Sequence, residues 1–210
     1  MPKTENFNQH ADNYDNWFNV NKCVFQSELN ALRKAFSVTE NVIEVGIGSG
    51  IFAAPLGIKE GVDPSKAMRE KAKKRDVRVM DAVAENLPYA DNSKNGILMV
   101  TTICFVDDIY KSFQEVHRVL KNDAYFIIGF VDKNSPIGKY YLEQKDENVF
   151  YKDAIFFGTE ELYKILKDTG FKINNTYQTV FGKLEEINKV QDVLVGYTQG
   201  GFVVIKAQKI

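Results

Sequence analysis

Val42-Ile-Glu-Val-Gly-Ile-Gly-Ser-Gly50 decides how the rest of the chain is read. The β-branched residues Val42, Ile43 and Val45 predict a short buried strand. It runs into Gly46, Gly48 and Gly50, after which Ile51-Phe-Ala-Ala54 is expected to open a helix. Glycine permits the positive φ of a sharp turn and lets a ligand approach backbone with no Cβ in the way. Free N–H groups at a helix start favour an anionic ligand group. A tight turn without a ligand is the competing reading, and the flanking residues weigh against it. Glu44 precedes the first glycine by two residues. A second strand, Ile58-Lys-Glu-Gly-Val62, ends on Asp63, where an open α/β sheet places the acid that takes ribose hydroxyls. The glycines also lack the second intervening residue of the dinucleotide pattern Gly-x-Gly-x-x-Gly, which points to a nucleoside without a pyrophosphate.

Strands and helices alternate outward from this point, so the fold class is α/β with a mostly parallel sheet. Lys22–Phe36 carries Val24, Phe25, Leu29, Leu32 and Phe36 at helical spacing, and 37–41 connects it to the first strand. Pro64 suits a first helical turn, with Ala67, Met68 and Ala72 on the apolar side. Val77–Met80 is a third strand ending at Asp81-Ala82. The apolar run Asn95–Val100 fits a parallel strand covered on both faces and ends at Thr101-Thr102. Asp107-Asp108 caps a helix reaching Leu120, inside which His117 reads as structural. Ala124–Val131 is the fifth strand and ends at Asp132. Residues 133–158 are rich in aromatics. A helix from Thr159 to Gly170, strands over 171–180 and 201–207, and a charged surface helix over 184–192 complete the chain.

The 210 residues are sufficient for one domain with a full core. A net charge of −1 gives no basic field for nucleic acid. The short basic runs 71–75 and 118–121 read as helix-end charges. Two cysteines, Cys23 and Cys104, make neither a disulfide framework nor a metal cluster. No run approaches the length of a membrane helix, and no leader pattern opens the chain. A cytoplasmic protein without metal, membrane or nucleic-acid partner is expected.

The glycine motif, Gly-Val-Asp-Pro-Ser at 61–65 and Asp-Ala-x-Ala-Glu-Asn-Leu-Pro at 81–88 together resemble the signature motifs of class I S-adenosylmethionine-dependent methyltransferases. The nearest subgroup is the small-molecule type of ubiquinone and menaquinone biosynthesis. The resemblance is good over about residues 40–132 and looser elsewhere. It implies a Rossmann-like seven-stranded sheet with helices on both faces and an antiparallel C-terminal hairpin. It divides the domain into an N-terminal cap and helix (1–40), a cofactor-binding core (41–132), a substrate-lid insertion (133–158) and a C-terminal helix and hairpin (159–210). It also implies S-adenosylmethionine as methyl donor. Glu44, Gly46, Gly48 and Gly50 would meet its methionyl end, Asp63 and Pro64 its ribose, Asp81 and Ala82 its adenine, and Thr101 and Thr102 would border its methyl group. Thr-Thr stands where many relatives have an acid or amide. Ala11-Asp-Asn-Tyr14-Asp15 matches a segment that helps close the cofactor site. If the acceptor needs a base, His10, Tyr14 and Asp132 are the candidates. A non-catalytic cofactor-binding module and a nicotinamide-dependent oxidoreductase are the alternatives. The acceptor itself is expected to be a small molecule.

Overall fold

The structure, a computed structural model, describes residues 3–36 and 40–210. Part of the expected connection at 37–41 lies outside them. Two short helices, α1 (Glu5–Gln9) and α2 (Ala11–Val20), lead into α3 (Lys22–Ala35). The core then runs β1 (Val42–Val45), β2 (Glu60–Val62), α4 (Lys66–Lys73), β3 (Arg78–Met80), β4 (Lys94–Val100), α5 (Ile109–Val119) and β5 (Leu120–Val131). After it come α6 (Pro136–Glu143), α7 (Thr159–Asp168), β6 (Phe171–Thr179), β7 (Leu194–Val195) and β8 (Phe202–Lys209).

The strand order is β3-β2-β1-β4-β5-β8-β6-β7. The first five strands are parallel, and β8 inserts antiparallel between β5 and β6. This is the expected mostly parallel sheet with an antiparallel C-terminal hairpin. An eighth strand is added by β7, two residues on the outer edge of β6. One apolar layer packs Phe113, Val116, Leu162 and Leu166 of α5 and α7 against the sheet. The other packs Val24, Leu29, Leu32 and Ala35 of α3 against Leu98, Ile127 and Val204. The order turns back between β1 and β4, and the chain crosses there from one face to the other. A crevice at the carboxyl ends of those strands follows from that topology.

Several local expectations fail for identifiable reasons. The helix expected at 51–54 is a turn followed by a three-residue 3-10 segment, Ala54–Leu56, because Pro55 cannot extend an α-helix and Gly57 closes the segment at φ 76°. Helix α4 begins at Lys66 rather than Pro64, with Ser65 Oγ accepting from the Met68 N–H. The surface helix expected over 184–192 reduces to the 3-10 turn Leu184–Glu186. Gln191 instead clamps the chain by accepting from Phe181 N and donating to Phe181 O. The basic runs do more than offset helix dipoles. Arg118 bonds Glu115, Asp91 and the carbonyls of Leu87 and Tyr89, fixing the loop after β3. Lys71 and Arg75 both reach Asp15 on α2. His117 is structural as expected, edge-on to Phe171 with centroids 5.3 Å apart.

Candidate active site

At the end of β1 the chain turns on three left-handed residues, with φ 68° at Gly46, 54° at Gly48 and 76° at Gly50. A Cβ on Gly46 would lie 2.2 Å from Thr102 Cγ2, so the loop after β4 is seated directly on this glycine. A Cβ on Gly48 would meet nothing nearer than Tyr14 Cε1 at 4.0 Å, so its bare side faces open space. The Gly48 N–H donates to Asp63 Oδ2 at 2.8 Å, and the Ser65 N–H donates to Asp63 Oδ1 at 2.8 Å. Asp63 is 8% exposed rather than solvent-facing. Burial raises its carboxyl to about 6, against the pull of those two N–H groups. One strand over, Glu44 is 1% exposed and its Oε2 has no hydrogen-bond partner. Burial first, and the Asp63 charge second, hold Glu44 well above the usual carboxylate range.

Gly46, Gly48 and Asp63 floor a cleft, partly open to solvent, which also meets Ser65, Met68, Ala82 and Thr101. Its roof is the N-terminal segment: Thr4, Phe7 and Tyr14 all line it. Asp15 fastens that roof, accepting from Ser49 Oγ at 2.5 Å, Lys71 Nζ at 3.2 Å and Arg75 Nη2 at 3.1 Å. Asn8 Oδ1 accepts from Ser65 Oγ at 2.8 Å. Phe7 meets Phe105 of the loop after β4 at 4.9 Å and Phe150 of the 133–158 insertion at 5.4 Å. Tyr14 meets Phe150 at 5.9 Å, and Phe105 stacks on Tyr151 at 6.5 Å. The N-terminal and insertion aromatics therefore meet above the strand ends.

The sequence-derived residues divide into two groups. Gly46, Gly48, Asp63, Pro64, Ala82, Thr101, Thr102 and Tyr14 converge on the cleft. Glu44 stands just behind it. Gly50 packs against Ala72 of α4, its Cβ position 3.4 Å from Ala72 Cβ. The rest lie elsewhere. Asp81 is turned outward, its Oδ2 2.8 Å from Arg69 Nη2. His10 caps α2 and sits edge-on to Phe150 at 6.4 Å, outside the cleft lining. Asp132 is fully employed in structure: Oδ1 accepts from Asn134 N at 2.7 Å, and Oδ2 from Thr159 N at 2.9 Å and Thr159 Oγ1 at 2.6 Å. It ties β5 to the start of α7 and offers no base. Burial lifts the Tyr14 phenol above its ordinary value, with Thr101 pulling against that rise.

Phe7 and Phe105 line the cleft and carry no motif of their own, and Ser65, which closes the 61–65 motif, lines it with no role expected of it. Thr101 has an unforeseen property: a β-branched residue at φ 51°, a conformation that persists only where its surroundings enforce it. Its N–H donates to Gly129 O at 2.8 Å, and its carbonyl accepts from Cys104 Sγ at 3.3 Å. Beyond Thr101 lies a second, narrow space bounded by Cys104, Phe130, Val131, Tyr151, Phe156 and Phe157. Among the described residues no group of His, Cys, Asp and Glu could hold a metal ion, and no helix is long and apolar enough to cross a membrane.

Residues 43–128 match the methyltransferase domain family. The solved structure of an S-adenosylmethionine-dependent methyltransferase from Thermotoga maritima, described as a possible histamine N-methyltransferase, is 42% identical. It superposes with a TM-score of 0.95 over 99% of each chain. Uncharacterized protein MJ1123 of Methanocaldococcus jannaschii is 40% identical over 97% of this chain and 98% of its own length. Demethylmenaquinone methyltransferase of Chlorobaculum parvum is more distant, 28% identical over 62% of this chain and 65% of its own.

Proposed function

The chain belongs to the S-adenosylmethionine-dependent methyltransferases, and on that footing we propose that it methylates a small-molecule acceptor in the cytoplasm. The acceptor approaches from the Thr101 side of the cleft, beneath a lid formed by the 133–158 insertion and the N-terminal aromatics. The observation that carries this reading is the shared wall. Thr101 borders both the cleft with the glycine turn and Asp63 and the aromatic space beyond it.

The residues fit the donor. The bare side of Gly48 and the orphaned Oε2 of Glu44 suit its methionyl end. Asp63 keeps free lone pairs on both oxygens for ribose hydroxyls. Ala82 and the backbone beside it suit the adenine, whereas the Asp81 side chain must leave Arg69 to take part. When bound, S-adenosylmethionine supplies a sulfonium-activated methyl group, so the protein's task is alignment and exclusion of water. Phe7, Tyr14, Phe105 and Phe150 perform the exclusion. Tyr14, beside Thr101, is the remaining base candidate, and its raised phenol makes it a better hydrogen-bond donor than proton acceptor at neutral pH.

Two measurements test the reading. Calorimetry should show binding of S-adenosylhomocysteine and none of NAD. A labelled-methyl assay across amines, phenols and quinols should give turnover with at least one class. Failure of S-adenosylhomocysteine to bind would end the assignment of the cleft.

A further inference from the structure

We infer that Thr101 selects the acceptor, its hydroxyl holding an uncharged polar group at the wall between the donor cleft and the aromatic space. This rests on the methyltransferase reading above and adds a specificity-determining residue to it. The two threonines after β4 have different duties. Thr102 Oγ1 lies 3.0 Å from Val100 O and 3.2 Å from Gly46 O, so its proton stays with the main chain. The Thr102 side chain also seats its loop on Gly46. Thr101 Oγ1 has no backbone partner among the described residues, and the Tyr14 phenol stands beside it. Thr101 borders both spaces, whereas Thr102 borders the cleft alone.

The backbone shows that the Thr101 side chain is kept at a cost. Thr101 is held at φ 51°, where a β-branched residue is more strained than glycine or asparagine. Its N–H is fixed to Gly129 O at 2.8 Å, and the following turn is closed by Phe105 N on Thr102 O at 2.9 Å. Val180 is the other β-branched residue so held among the described residues, at φ 63°. Its side chain is 3% exposed and fills the apolar core, which accounts for it. Thr101 is half-buried at an open cleft and has no such packing to gain. Strain retained at a ligand space gives the side chain itself a task. The kind of group it holds follows from the walls. No charged side chain lines the space beyond Thr101, and an ion taken there would be desolvated without a counter-charge. The Cys104 thiol is already committed to Thr101 O at 3.3 Å. The Ile155 N–H donates to Cys104 O at 2.8 Å, which ties the insertion to the same loop. The far wall and the Thr101 hydroxyl therefore keep a fixed spacing.

The test uses the full-length protein and its Thr101→Ser, Thr101→Val and Thr101→Gly variants. Labelled-methyl transfer is measured to catechol and menadiol, which are uncharged, and to benzylamine, which is a cation at neutral pH. Transfer to an uncharged probe is expected to exceed transfer to benzylamine. Thr101→Val, which keeps the shape, should raise KM for that probe about tenfold, the scale of one hydrogen bond. Thr101→Ser should recover most of that loss. Affinity for S-adenosylhomocysteine in calorimetry should stay near the parent value in all the variants. Thr101→Gly should lose the same transfer yet melt about 2–4 °C higher as the strain is released. A Thr101→Val variant equal to the parent, transfer to benzylamine alone, or a lower melting temperature for Thr101→Gly would overturn the inference. If none of the probes is methylated, the melting temperature of Thr101→Gly decides by itself. In each case intact S-adenosylhomocysteine binding by the parent leaves the methyltransferase reading standing.

Discussion

The glycine turn and the aromatic cluster of the N-terminal segment and the 133–158 insertion are built on different principles. The turn is backbone chemistry: left-handed glycines, N–H groups and one acid bridging Gly48 to Ser65. The cover above it is side-chain chemistry: rings from three separate segments meet edge to face, tilted or stacked. A backbone cradle can be reused for one invariant ligand because little in it varies with sequence. A ring-lined chamber changes shape with each substitution, which suits a component that must select among acceptors.

The comparison breaks most severely at the turn itself. Gly48→Val places a branched side chain at φ 54° on the open side of the glycine. It should weaken S-adenosylhomocysteine binding by about a hundredfold or more in calorimetry, while the lid stays intact. An affinity within a fewfold of the parent would remove the cofactor from this turn.

Asp63 gives a smaller and pH-dependent effect. Asp63→Ala is a poor probe, because it strips both Gly48 N and Ser65 N of their acceptor, at about 1–3 kcal/mol for each buried group left unpaired. Asp63→Asn keeps one acceptor and should cost about tenfold in S-adenosylhomocysteine affinity. The carboxyl is raised in the fold to about 6. The ionised form that accepts from hydroxyls is therefore lost as pH falls through 6, and affinity should decline there. The Asn variant should be flat through the same window. A parent titration equally flat between pH 7 and 5 would assign the ribose to another group.

The smallest effect belongs to the fastening of the roof. Asp15→Asn removes the charge that Lys71 and Arg75 share and should raise KM for both substrates about two- to threefold, the scale of partly exposed ion pairs. Added salt should mimic it in the parent and leave the variant less affected. A change confined to one substrate would show that the roof serves only one compartment.

The glycine turn and its acid were legible because their determinants are local in sequence. A strand, a glycine triplet and an acid at the end of the next strand fix Gly46, Gly48 and Asp63 with little freedom. Spacing places the Cα of Asp81 but not its side chain, which Arg69 on α4 draws outward. For Asp132, nothing near it in sequence reveals that Thr159 will occupy the carboxylate expected to be a base. Phe7 and Phe105 meet only through tertiary packing.

The roof has a kinetic corollary. Phe7 and Tyr14 line the cleft and both pack on Phe150 of the insertion, so on the proposed reading whatever raises α1 and α2 also loosens the insertion. Turnover that slows as solvent viscosity rises would show that this opening, rather than the bond exchange inside, sets the tempo of the cycle.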